Sequence, residues 1–277
     1  MEIFINGKPA DIVLETEKKV GDVLAGMEKW LEGSGNRLSG LGIDGLVTGA
    51  EALPAVIERE LAGIKKIDMI ISSWESIAME ALSGLKNYCA LIAGSSFEDR
   101  SKIINDWETS AAKTFLSTDI SDLYETAKLS FSGEGISPSD LEILAGERMS
   151  ELEDPCAEIL KMEMTVNETA ARMTELPLDV QTGRDGRAAE TIRIFSRMGE
   201  KLFRLFRILN HMPAEPFEIN GQPVKKYLNE FGTVLAELTA AYGNQDSVLI
   251  GDLAEYELAP RLTEFYSAVK NLAVKEG

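Results

Sequence analysis

A single histidine, His211, falls at the expected C-terminal end of a helix, and no serine or cysteine is marked by spacing as its nucleophilic mate. Ser-His-Asp and Cys-His catalysis both need an imidazole beside the attacking group. At a helix C-terminus an imidazole serves instead as a favourable charge on the helix dipole. The same count excludes Cys/His zinc sites of the usual kind, and di-iron bundles built on two Glu-x-x-His pairs. Cys89 and Cys156 lie far apart in helical patterns, where a thiol packs as a small hydrophobe. Asp252, Glu255 and Glu257 are close in the last helical stretch, with Asp252 and Glu255 on one face. Magnesium held by carboxylates is one reading. A solvated acidic face gives the same spacing in a chain with 46 acidic residues. No catalytic residue, metal ligand set or cofactor is therefore expected.

Two basic features remain. Thr182-Gly183-Arg184-Asp185-Gly186-Arg187 precedes a helix, whose free backbone amides attract anions. Thr182, Gly183, Arg184, Gly186 and Arg187 form a candidate anion-binding loop, although Gly-Lys-Ser/Thr is missing and no clear buried strand leads in. The helix that follows carries Arg193, Arg197, Lys201 and Arg204 at steps of three or four, hence on one face. Ala188, Ile192, Phe195, Leu202, Phe206 and Leu209 line another face. The basic face is either a docking site for an acidic partner or an internal face paired with acidic helices.

These side chains need elements to hold them. Glu2-Ile3-Phe4-Ile5, the turn dipeptide Asn6-Gly7 and Asp11–Thr16 predict a hairpin. Val20, Val23, Leu24, Met27, Trp30 and Leu31 predict an amphipathic helix stopped at Gly33. Gly42–Thr48 and Ile67–Ser72 read as strands, with a helix from Ala50 to Leu61 between them. From Trp74 onward the pattern is helical almost throughout. Ser96 with Asp99 resembles a capping box, opening a helix that runs through Trp107 and Phe115; Asp119 starts a shorter one to Leu129. Ser137-Pro138-Ser139-Asp140 marks another start, and Asp154-Pro155 the next. Breaks are expected at Leu176-Pro177 and Met212–Pro216. Glu218–Pro223 reads as a turn, and Pro260 as a kink in the last helix.

The order strand, tight turn, strand, helix, strand over residues 1–73 resembles the β-grasp fold. The run MEIFINGKPADIVLETEKKVGDVLAGMEKWL is similar to the start of ubiquitin and of the small bacterial sulfur-carrier proteins. That likeness implies a compact module with a recognition surface. Carrier chemistry in those families requires a free Gly-Gly carboxylate, whereas here Ser72-Ser73-Trp74 continues into a helix. The expected fold is α+β and predominantly helical, with a β-grasp domain over 1–73 and a helical bundle over 74–277.

Composition narrows the partners. With 28 basic and 46 acidic residues the chain carries a net charge of −18. Such a surface repels nucleic acid and anionic headgroups. No apolar run approaches the ~18 residues a transmembrane helix needs, and the N-terminus goes straight into a strand pattern, so a cytoplasmic location is expected. The functional expectation is a non-catalytic adaptor, assembly factor or chaperone-like protein that binds a protein partner or a second copy. The alternatives are an enzyme, or a sensor of a small anion, using the Thr182–Arg187 loop or a carboxylate metal site.

Overall fold

The computed structural model describes residues 1–49, 52–209 and 217–276. It is α+β and mostly helical, with a small N-terminal mixed sheet followed by helices. The chain divides into two compact units, Met1–Met149 and Ser150–Gly277.

In the first unit β1 (Glu2–Ile5) and β2 (Lys8–Pro9) form a hairpin at the expected Asn6-Gly7 turn. Both turn residues have positive φ, 48° and 75°, the left-handed conformation that Asn and Gly tolerate. Helix α1 (Val20–Leu31) follows and buries Val20, Val23, Leu24, Met27 and Leu31. Strand β3 (Asn36–Ile43) comes next, then β4 (Leu46–Val47), helix α2 (Leu53–Ile57) and strand β5 (Lys66–Ser73). The strand order is β2-β1-β5-β3-β4, with β1 parallel to β5 and the other pairs antiparallel. This mixed sheet with its helix is compatible with a β-grasp.

Three local expectations fail here. Gly42–Thr48 is two strands, because Asp44 and Gly45 take φ values of 51° and 85° and turn the chain back on itself. Asp11–Thr16 lies outside the sheet; only Lys8 and Pro9 pair with β1. Its Val13 is exposed, so the apolar run there buries too little to hold a strand. The helix expected over Ala50–Leu61 is reduced to α2, and Ala50 and Glu51 lie outside the described residues.

Helix α3 (Trp74–Gly94) leaves β5 directly, with Ser73 as its N-cap accepting from the Ser76 amide. Helices α4 (Phe97–Thr109) and α5 (Ala111–Asp119) follow. The single run expected through Phe115 is divided because Ser110 caps a new helix, its hydroxyl accepting from the Lys113 amide. Helix α6 (Ser121–Ser132) ends at Gly133 in the left-handed conformation. Helix α7 (Pro138–Glu153) opens at the Ser137-Pro138 start signal. Trp107 packs edge-on against Tyr88 and Phe131 at the centre of these helices. Asp119 ties them to the sheet, accepting from Trp74 Nε1 at 3.1 Å and pairing with Arg37 of β3 at 2.6 Å.

In the second unit α8 (Pro155–Lys161) and α9 (Glu163–Gln181) are followed by α10 (Asp185–Leu209). The break expected at Pro177 does not occur: α9 runs through it. The proline removes one amide bond, but its ring lies against a glycine. A short hairpin, β6 (Glu218–Ile219) and β7 (Gln222–Pro223), replaces the turn expected at 218–223. Helix α11 (Val224–Gly243) and helix α12 (Ser247–Asp252) come next, then a π-helical turn over Leu253–Leu258 and helix α13 (Ala259–Glu276). The irregularity assigned to Pro260 lies in the turn before it, where Ala259 N–H donates to Ala254 O, five residues back. Phe195, Phe203, Phe206, Phe231 and Phe265 form a chain of ring contacts through this core.

A Cβ at Gly251 would come within 3.0 Å of Pro177 Cβ, where α12 crosses α9. Gly251→Ala is expected to lower the unfolding free energy by about 1–3 kcal/mol through overpacking, read as a fall in the urea midpoint. Gly26→Ala, with nothing near its missing Cβ, should leave the midpoint unchanged or raised.

Candidate binding surfaces

Strand alternation puts successive side chains on opposite faces. Ile3, Ile5, Leu41, Ile43, Ile67, Met69 and Ile71 turn toward α1 and make one apolar core. The pairing Phe4↔Asp68↔Gly42↔Val47 then runs across the opposite face, with Ile70↔Gly40 beside it. Ile70 is 52% exposed and Val47 88% exposed. A Cβ on Gly40 would meet Ile70 Cδ1 at 3.0 Å, so the glycine leaves room for Ile70 to lie flat across β3. Lys66 sits 4.2 Å from the Phe4 ring centroid and pairs with Asp68 at 2.6 Å. The outer face therefore carries apolar side chains with the Lys66–Asp68 ion pair set among them, Asp68 standing between Phe4 and Gly42. Sequence reasoning named none of these residues as a site. The available signal was Ile70, an apolar residue out of phase with Ile67, Met69 and Ile71, together with the Gly40-x-Gly42 spacing.

Helix α10 buries Ala188, Phe195, Leu202, Leu205, Phe206 and Leu209, which is close to the expected apolar face. Its basic face is divided. Arg204 donates from Nε and Nη2 to the two Glu151 carboxylate oxygens at 3.0 Å each, and that carboxylate side chain is only 3% exposed. Lys201 reaches Glu158 at 2.8 Å, and Glu158 also accepts from Lys161 at 2.8 Å. Hydrogen bonds from Lys161 and then Lys201 hold the Glu158 carboxyl below its ordinary range, against the opposing effect of burial. Arg193 is exposed and, among the described residues, pairs only within its own helix, with Glu190. Arg197 is exposed and, among the described residues, carries no ion pair. Lys201 and Arg204 thus serve the interior, while Arg193 and Arg197 face solvent.

In the 182–187 loop Thr182 Oγ1 donates to Leu178 O, Gly183 has φ 69°, and the Arg184 amide donates to Asp179 O at 2.8 Å. Asp179, with a side chain 3% exposed, pairs with Arg187 at 2.9 Å and Arg184 at 3.6 Å. Arg187 also meets Glu175 at 2.5 Å. Both guanidinium groups therefore rest on carboxylates, and an incoming anion would compete with Asp179. The Arg187 amide donates to Arg184 O, so the loop spends that donor internally as well; Gly186 is exposed. Of the carboxylates considered for a metal, Glu257 is held by Arg261 at 3.0 Å. Among the described residues no three His, Cys, Asp or Glu side chains are grouped to hold a metal ion. His211 lies outside the described residues. Among those residues no helix is long and apolar enough to cross a membrane.

Comparison with known proteins adds two family matches and one relative. Residues 1–73 match the family described as the TP0873 N-terminal domain. Residues 180–268 match a domain of unknown function, DUF8042. Over 120 residues the chain is 24% identical to an "Uncharacterized protein" of Treponema pallidum (strain Nichols), a match covering 43% of this chain. The chain spans 60% of that relative's length. No solved structure matches the chain.

Two measurements test how the basic face divides. Arg193→Glu with Arg197→Glu should change the unfolding free energy by less than about 0.5 kcal/mol, as exposed substitutions do. Arg204→Met, which strips a buried carboxylate of its bidentate partner, should cost about 3 kcal/mol. For Glu158 the folded carboxyl is depressed relative to the unfolded chain, so its stabilising effect is present above the unfolded value, about 4.3, and is lost as pH falls through the folded value. The stability difference between the native chain and Glu158→Gln should be flat above about pH 5 and shrink below about pH 4.

Proposed function

We propose that this chain is a non-catalytic protein-binding adaptor or assembly factor, and that its N-terminal domain is a ubiquitin-like β-grasp module used for recognition. The observation that carries the reading is the outer face of the five-stranded sheet. One face is closed by α1, while on the other face Ile70 and Val47 are exposed, in a row of positions that begins at Phe4. A small sheet that leaves branched apolar side chains in water gains by burying them against a partner. The Lys66–Asp68 pair set among these side chains supplies orientation more than affinity.

The charge of −18 supports a protein partner over nucleic acid or an anionic lipid surface. Cys89 is buried among the helices of the first unit, and a cytoplasmic location is part of this reading. The exposed Arg193 and Arg197 offer a second, weaker contact for an acidic protein segment.

The test is capture from native lysate with the full chain and with a Val47→Asp/Ile70→Asp variant, read by mass spectrometry. Both positions are exposed, so the variant should keep the native urea midpoint to within about 0.5 kcal/mol. A specific protein retained by the native chain and lost from the variant is the expected result. A partner retained equally by both would remove the sheet face from the proposal, and no specific protein with either would overturn the adaptor reading.

A further inference from the structure

The sequence Ile-Asn-Gly-x-Pro occurs twice, at Ile5–Pro9 and at Ile219–Pro223. The two copies take the same backbone. Asn6 and Gly7 have φ of 48° and 75°, Asn220 and Gly221 of 52° and 74°. Ile5↔Lys8 and Phe4↔Pro9 correspond to Ile219↔Gln222 and Glu218↔Pro223. Even the closing bond repeats. The amide after the proline donates to the carbonyl two residues before the isoleucine, Ala10 to Ile3 at 2.8 Å and Val224 to Phe217 at 3.0 Å.

The outer edges differ. On β1 the edge is filled by β5, which runs parallel with Phe4 opposite Asp68 and Ile5 opposite Met69. The Asn6 amide donates to Met69 O at 2.9 Å. Its side chain then extends the ladder one step, Nδ2 donating to Ile71 O at 2.9 Å and Oδ1 accepting from the Ile71 amide at 2.8 Å. Among the described residues the second hairpin is a two-stranded sheet by itself. Glu218 and Asn220 are exposed, and neither the Asn220 amide nor its carboxamide has a hydrogen-bond partner among the described residues. Ile219 is buried, which anchors the hairpin to its unit and holds the edge in place.

We propose that the β6 edge, with the Asn220 carboxamide as its terminal clamp, is the docking site for one extended segment of a partner protein. That segment runs parallel to β6, carries no proline at its paired positions, and has branched apolar residues at alternate positions. The occupant's chemistry is taken from β5, the strand already seated on the hairpin with the same turn. A strand edge recognises backbone first, and alternate side chains second. A net charge of −18 favours a neutral or basic segment and disfavours a second copy of this chain. The site is separate from the sheet face of the N-terminal domain, so the two proposals stand or fall independently.

The test uses a fluorescein-labelled peptide of the β5 sequence, Lys65 to Ser73, titrated against the full chain. Anisotropy reports binding, and amide hydrogen exchange reports where the peptide sits. Saturable binding that slows exchange at Glu218 and Asn220 is the expected result. Asn220→Gly keeps the left-handed turn while removing the clamp, and should weaken binding about tenfold. N-methylation of the peptide at its Ile71 position should do the same. A flat titration up to millimolar peptide would overturn the proposal. So would protection confined to residues 2–6, or protection at Glu218 arising from self-association without peptide.

Discussion

The parallel pairing of β1 with β5 joins the first five residues to a strand some sixty residues further along, and the N-terminal sheet depends on it. Such a contact closes a long loop, so its entropy must be offset by what the closure buries. Ile3, Ile67 and Met69 supply that burial on the α1 side, while the Asn6 side chain locks the register from the edge. A slip of one residue would bring Ile70 inward and send Ile67 and Met69 into water. The same register fixes the opposite face, so the exposure of Ile70 and Val47 follows from the inner core being filled.

In the second unit an equivalent constraint acts through charge. Helix α10 has a strongly basic face, yet its C-terminal half is neutralised from inside by Glu151 and Glu158. Desolvating a carboxylate costs several kcal/mol unless a cation with good geometry meets it. The bidentate Arg204–Glu151 contact meets that condition. Asp179 plays the matching part at the N-terminal end, gathering Arg184 and Arg187 so that the turn from α9 into α10 is stapled. What looks like an anion loop is thereby largely occupied by the protein's own carboxylates. The residues left facing solvent, Arg193 and Arg197, lie between these two clamps.

The repeated Ile-Asn-Gly-x-Pro hairpin links the units through a shared solution to the same turn. Positive φ at two successive residues is costly for most side chains and cheap for Asn-Gly, so the motif forms locally wherever it occurs. Its environment then decides its use. In the first copy a distant strand takes the open edge; in the second the hairpin leads at once into α11, and among the described residues no strand pairs with that edge.

By itself the sequence determined the α+β, mostly helical class, the turn of the first hairpin, α1, β5, the start of α7 and the apolar stripe of α10. Each rests on local periodicity or on a residue with a strong backbone preference. It misled where local signals met tertiary packing. Pro177 was a helix breaker until Gly251 gave its ring space, and Asp44-Gly45 turned what read as one strand into two. The binding surfaces were barely legible, for a physical reason. Whether Arg204 or Arg193 is free depends on where Glu151 lies, and whether Ile70 is core or surface depends on which face α1 covers. Those are facts of tertiary structure, since residue type sets what a side chain can pair with but only the packed chain decides whether the partner is already there.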